Sequence, residues 1–297
     1  MFGIDNKVER SSLLLALKAL RWTLTNTSKD DDLVLDFSGL KKTYAEGALL
    51  FTAELRRLIH LRRGSFHCKT LLPRSSKVTQ VLKQVGILDL LGVTESVVCV
   101  DEDVVNWRHA YGSVVEGQKY EDILAAYDGE ISKALSQHLY TVITEAMTNV
   151  VNHAYDFPRL DGIATQPAGW WMFSQEKNGT LYVAFCDLGA GIPGTLPKKR
   201  PHIWRALREL GKGRDGLAIK AAVKESVSRT QRDNRGRGLS QIVSMAESTN
   251  ASFVTIYSNK GRYNRNADGK VKIHTYRDSI LGTLIRWTIP LRKQDMT

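Results

Sequence analysis

The sequence predicts an α/β protein of two domains. Helix-like and strand-like segments alternate through the first hundred residues. A long helix, a strand hairpin and glycine-rich loops then follow, and 297 residues exceed what one core usually organises. Val8 to Leu24 has apolar residues at helical spacing, Asp32 to Phe37 reads as a buried strand, and Ala45 to Leu61 is again helical. Lys69 to Leu72 is a short strand, Val78 to Leu91 a helix ending near Gly92, and Ser96 to Val100 a further strand. Asp101 to Glu121 is acidic and weakly periodic, which places the boundary there and gives domains over 1–105 and 118–297. A long helix spans about Ile131 to Tyr155 and is stopped by Pro158. Strands at Gly169–Ser174 and Thr180–Cys186 flank Lys177-Asn-Gly179, a hairpin turn. Next come a glycine-rich loop, a basic segment, a helix from Leu239 to Ser248, and strands near Ser252–Tyr257, Lys270–Tyr276 and Gly282–Ile289.

Composition narrows the class. With 42% hydrophobic, 25% charged and 8% aromatic residues, the chain is globular in type, which excludes disordered, collagen-like and disulfide-rich small proteins. The longest apolar run, Leu13–Leu17, is far below the roughly 20 residues that span a bilayer, and the start lacks a signal peptide's order, so a cytoplasmic location without membrane contact is expected. Cys68, Cys99 and Cys186 have no CxxC spacing and indicate neither a disulfide framework nor a zinc site. The net charge of +11 is unevenly placed: Lys198 to Arg237 holds 13 basic and 4 acidic residues, which suits a polyanion. Nucleic acid is set aside as a partner, because no arginine–aromatic stacking pattern or helix-turn-helix accompanies that segment.

At about 100° per residue, His138, Thr141, Asn149 and Asn152 fall on the same face as Glu145, with Leu139, Ile143, Met147, Val150 and Ala154 opposite. A carboxylate and two carboxamides on the wet face are hard oxygen donors suited to Mg²⁺ beside phosphate. Further on, Asp187 stands at a strand end before Gly189 and Gly191, where its carboxylate can accept from an exocyclic amine such as adenine N6. Asn234-Arg-Gly-Arg-Gly-Leu239 precedes a helix, so free backbone N–H groups would face an anion. Gly282-Thr283 opens the last strand. Read singly, each has a plain structural alternative: an amphipathic helix, an Asx turn, a glycine turn and a β-branched strand residue.

Taken in order, Glu145-Ala-Met-Thr-Asn149-Val-Val-Asn152-His153, Asp187-Leu-Gly189-Ala-Gly191-Ile192, Arg235-Gly236-Arg237-Gly238-Leu239 and Gly282-Thr283 resemble the four boxes of the GHKL superfamily of ATP-binding domains. The resemblance covers about Tyr120 to Arg292 and implies an α/β sandwich with a mixed, largely antiparallel sheet under one helical layer, binding ATP and Mg²⁺. It implies that Asn149 holds Mg²⁺, that Glu145 orients or deprotonates the attacking water, and that Asp187 with Thr283 reads adenine. Gly189, Gly191 and Ile192 would shape the base site; Gly236, Arg237, Gly238 and Leu239 would wrap phosphates, with Asn152 and His153 beside them. Asn152 stands where kinases of the fold often carry a cation, a charge that Arg229, Arg235 or Arg237 would replace. Leu196 to Asn234, with Gly211, Gly213 and Gly216, would be the lid, the least ordered part of the fold without nucleotide.

Within the superfamily the spacing is most similar to the anti-sigma-factor serine kinases. His138 lies inside the site helix itself, and no phosphoacceptor hairpin precedes it, so a histidine autokinase is not expected. The first domain resembles the STAS fold, through Leu33-Val-Leu-Asp-Phe-Ser-Gly-Leu40, Ala45–Leu58 and Val78–Leu91, although the pattern is also that of any small α/β domain. Where that family carries a phosphorylated serine, Glu46 and Gly47 stand here, implying a permanent negative charge or a lost switch. The expected function is therefore an ATPase or serine/threonine kinase in a regulatory protein. Protein partners would engage the first domain and the lid, with a homodimer left open. The alternative is a non-catalytic nucleotide sensor or adaptor in a multiprotein complex.

Overall fold

The computed structural model describes residues 2–28, 31–62, 68–94, 96–101, 104, 107–115, 132–163, 168–211, 213–230 (227–230 by backbone alone) and 238–291. The chain divides into two compact units, 1–109 and 110–297.

The first unit begins with α1 (Lys7–Asn26), capped by the Asn6 side chain, which accepts from Val8 N–H at 2.9 Å. It continues through β1 (Leu33–Asp36), α2 (Ala45–Leu61), β2 (Cys68–Leu71), α3 (Ser76–Gln84) and α4 (Ile87–Leu90). β1 and β2 pair in parallel, Leu33 opposite Cys68. The single helix expected over Val78–Leu91 is two, because Gly86 at φ 77° breaks the run. Ser96–Val100 is not a strand. The Gln80 side chain accepts from the N–H groups of Val100 and Asp101, at 2.8 and 2.9 Å, taking donors that a ladder would use. Glu46 is buried in the first turn of α2, where a carboxylate complements the helix dipole, so it is not a surface charge.

The most polar part of this core is an ion cluster. Glu54 is fully buried and lies 2.5 Å from Arg21 Nε and 2.6 Å from Arg57 Nη2, joining α1 to α2. Removing one member of such a cluster leaves uncompensated charge and costs about 3–5 kcal/mol. Glu54→Ala should therefore destabilise the protein by about that amount. Urea unfolding checks it: a midpoint within error of wild type would show the cluster to be dispensable.

The second unit is built on a seven-stranded sheet. After β3 (Arg108–Gly112) come α5 (Lys133–Asn149), continued by a π turn at Val150–Ala154, then β4 (Trp170–Lys177) and β5 (Thr180–Asp187). Next are α6 (Gly191–Lys199), α7 (Pro201–Glu209), α8 (Asp215–Thr230), α9 (Gly238–Ser244), β6 (Phe253–Ser258), β7 (Gly261–Asn266), β8 (Val271–Thr275) and β9 (Thr283–Pro290). The strand order is β3-β4-β5-β9-β6-β7-β8, and every pairing with a defined register is antiparallel, so the parallel component of the implied mixed sheet does not appear among these pairs. The Asn178-Gly179 turn has both residues at positive φ, 53° and 68°, the geometry that a two-residue hairpin demands.

One face of the sheet packs on helices. Leu139, Ile143, Met147 and Val150 of the long helix are buried as the wheel predicts, and they join Val183, Phe185, Ile256, Ile285 and Trp287 in one core with Ile242 of α9. Trp287 Nε1 donates to Ile242 O at 2.9 Å, so the largest buried ring also has its polar atom satisfied. The segment expected as a lid, Leu196–Asn234, is largely helical among its described residues. Ala218, Ile219 and Val223 of α8 are buried, and this anchors its middle in the core against the expectation of a loosely ordered loop.

Candidate functional site

A cavity of about 230 Å³ lies in the second unit where α5 and its π turn, the ends of β5 and β9, α6, α8 and α9 converge. Three strands set its polar floor. The antiparallel registers place Asp187 opposite Thr283 and Thr283 opposite Ser258, so the three side chains stand in one row across β5, β9 and β6. All three are buried.

Asp187 accepts from Gly189 N–H at 2.9 Å and from both the hydroxyl and the N–H of Thr283. Burial nevertheless dominates and pushes its carboxyl up to about 6, the hydrogen bonds only moderating the rise. An ionised carboxylate has about four lone-pair sites, so three donors leave about one for a ligand.

Behind this floor the π turn does the fitting. Tyr155, just past it, donates to Gly169 O at 2.6 Å and accepts from Leu188 N–H at 3.1 Å, fixing the chain next to Asp187. Burial, and then the Asp187 charge, push its phenol well above the usual range. Ala154 O accepts from Ala190 N–H at 2.8 Å, and a Cβ on Gly189 would stand 2.1 Å from that same oxygen. Glycine at 189 is thus required by close approach. Gly282, at φ 137°, is constrained similarly, since a Cβ there would lie 2.2 Å from Asp187 O.

Of the residues singled out in the sequence, Asn149, His153, Asp187 and Gly191 line the cavity, as do Ile192, Gly238, Leu239 and Thr283. A Cβ on Gly238 would approach Asn149 Nδ2 to 2.9 Å, so the second glycine motif and the helix amide touch. Glu145 is not part of the lining. It sits one turn before Asn149, and its carbonyl accepts from Asn149 Nδ2 at 2.8 Å. Asn152 is exposed and outside the cavity. The wheel assumed α-helical rotation, but i→i+5 winding through Val150–Ala154 adds a residue to the turn and takes Asn152 off the face of Asn149. Gly189 supports the floor without lining the cavity. Arg235, Gly236, Arg237 and the Arg229 side chain lie outside the described residues.

Two cations at the cavity escaped the motif reading. Lys199 Nζ is 2.8 Å from Asp156 Oδ2 and 2.7 Å from His153 Nδ1, and Arg200 Nε is 2.8 Å from Glu225 Oε2. They belong to the basic segment, whose positive charge was legible although these two positions within it were not. Among the described residues no cluster of three His, Cys, Asp or Glu side chains could hold a metal, which leaves Asn149 as the candidate ligand named above. Nor is any described helix long and apolar enough to cross a membrane. The sequence matches no protein-family model and no curated protein.

The buried carboxyl sets a pH dependence. Its folded value, about 6, is above the ordinary 3.8, so the native state keeps this proton longer than the unfolded chain does. Its stabilisation is full below about pH 4 and lost as pH rises through about 6, a change on the order of 3 kcal/mol. Asp187→Asn should remove that part of the slope. Unfolding free energy measured against pH should therefore fall less steeply from pH about 4 to about 7 in the variant; parallel curves would show that Asp187 titrates normally.

Proposed function

We propose that the second unit is a nucleotide-binding module of the GHKL type, taking ATP with Mg²⁺ and working as an ATPase or a protein serine/threonine kinase within a regulatory protein. The observation that carries this reading is the buried Asp187–Thr283 pair, set opposite one another at the floor of a cavity that Asn149, Lys199 and Arg200 also line.

The donor set fits that ligand. The remaining acceptor capacity of Asp187 suits an amine N–H, Asn149 offers a hard oxygen, and Lys199 with Arg200 supplies charge for phosphate oxygens. At about 230 Å³ the cavity is below the 300–1,000 Å³ usual for ligand pockets, which matches a base and sugar better than a whole triphosphate. Bound Mg-ATP supplies a phosphoryl group ready for in-line transfer. The chain's own part is to hold the base on Asp187, to place Asn149 at the metal, and to use the Glu145 carboxylate, one turn away, on the attacking water or on a partner's hydroxyl. The first unit would dock the protein partner. A second reading, a nucleotide sensor without turnover, is favoured by one observation: Glu145 does not line the cavity.

ATP with Mg²⁺ should raise the melting temperature, by the equivalent of about 2.7 kcal/mol at a hundredfold excess over Kd, and GTP should do so much less. Equal shifts for the two nucleotides, or none, would remove the adenine assignment. Glu145→Ala should abolish turnover yet bind ATP, whereas Asn149→Ala should lose Mg²⁺-dependent binding as well. Single-turnover hydrolysis separates the two readings: wild-type protein that binds ATP and leaves it intact, with and without partner, is the sensor.

A further inference from the structure

Ser258 has no place in the reading above. It ends β6, is fully buried and does not line the cavity. Its Oγ accepts from Ile192 N–H at 2.8 Å and lies 3.0 Å from Thr283 Oγ1, with Gly282 O at 3.3 Å. Each hydroxyl has a single hydrogen, so these contacts constrain one another. Thr283 O–H is committed to the Asp187 carboxylate. The contact between the hydroxyls therefore has Ser258 as donor and Thr283 as acceptor. At the far end, a backbone amide can only donate. The chain of hydrogen bonds thus runs one way, from Ile192 N–H through Ser258 and Thr283 to Asp187.

We propose that Ser258 is a positioning residue: it turns the Thr283 hydroxyl toward Asp187, so that the pair presents only acceptors to a bound base and favours a base with an exocyclic amine over one with a carbonyl there. The inference rests on the nucleotide reading above. Without the Ser258 hydroxyl, Thr283 loses the donor that fixes its rotor and is free to donate into the cavity, where a carbonyl would accept. Ile192 N–H also loses its partner. Other titratable or charged groups at the cavity are His153 and Tyr155 from the end of the long helix, Lys199 and Arg200 from the end of α6, and Glu225 from α8. They are the same in every variant below and drop out of the comparison.

The probes are ATP and inosine triphosphate, which differ at the 6-amine, a carbonyl in the latter. Ser258→Ala and Ser258→Thr are first matched to wild type by melting temperature without nucleotide, and dissociation constants for both probes are then measured with Mg²⁺. In parallel, the Asp187 carboxyl carbon is followed by NMR through its titration, which needs no nucleotide. Wild type should prefer ATP, and Ser258→Ala should lose about tenfold of that preference, an amount typical of one hydrogen bond. It should also move the Asp187 titration upward, since Thr283 becomes a weaker donor. Ser258→Thr, which keeps a hydroxyl, should restore both. Equal weakening toward both probes would overturn the proposal, because loosened packing acts on both alike. If nucleotides bind but neither preference nor titration moves, the role of Ser258 falls and the nucleotide reading stands. If neither probe binds wild type while the titration still moves, the nucleotide reading falls and the positioning of Asp187 through Thr283 stands. Should Ser258→Ala fail to fold, Ser258→Cys keeps the size, weakens the donor, and takes the same test.

Discussion

The register of three adjacent strands is the constraint on which the site depends. Asp187, Thr283 and Ser258 form one row across β5, β9 and β6 because Asp187 pairs with Thr283 and Thr283 with Ser258. Side chains alternate faces along a strand, so a slip of one residue in either pairing would carry a polar member to the opposite face. The apolar members of the same strands hold that register. Val183, Phe185, Ile285, Trp287, Val254 and Ile256 share the helix-facing side with the polar row, and moving them would empty the core. The site thus takes its precision from hydrophobic packing that has no chemistry of its own.

A second constraint comes from the helix side. An α-helix running unchanged through Tyr155 would keep Asn152 under Asn149, whereas the π turn rotates it out to solvent. The same turn sets Ala154 O against Ala190 N–H and the Tyr155 hydroxyl against Leu188 N–H. Helix and strand end are so tightly joined there that position 189 has no room for a side chain. A glycine that reads in the sequence as a ligand contact is in this fold a contact between two stretches of backbone.

The sequence made the apolar skeleton legible and hid the parts that lack apolar periodicity. Lys7–Asn26, Ala45–Leu61 and Lys133–Asn149 lie within a few residues of where helical spacing places them, and Asn178-Gly179 turns as its side chains require. β7, Gly-Arg-Tyr-Asn-Arg-Asn, carries little apolar alternation, and β3 is mostly exposed, so neither has a period-2 signal to read. α6, α7 and α8 were obscured by charge: between Gly191 and Thr230 the basic residues draw the eye to a lid, although Leu196, Leu207, Ala218 and Ile219 are buried. In the site, sequence spacing located Asn149, Asp187 and Thr283. It had no means of finding Ser258, whose role arises only from strand pairing, nor of rejecting Asn152, because the winding of the turn is a tertiary outcome.

Charge placement looks different once the segment is seen folded. The excess of basic residues over Lys198–Arg237 suggested repulsion relieved only by an anion, yet its first two cavity cations already have carboxylate partners in Asp156 and Glu225. Those pairs are partly exposed and individually weak, so water and salt compete with them at little free-energy difference. A phosphate oxygen presented to Lys199 or Arg200 would exchange one weak partner for another of higher charge, which favours binding without a large rearrangement of the helices. Specificity cannot come from that exchange, since any polyanion satisfies it. It falls to the buried end of the cavity, where Asp187 and Thr283 have almost no spare hydrogen-bonding capacity and a wrong group leaves a polar atom unpaired. The two ends therefore divide the work physically, with exposed charge governing attraction and buried, directed hydrogen bonds governing discrimination.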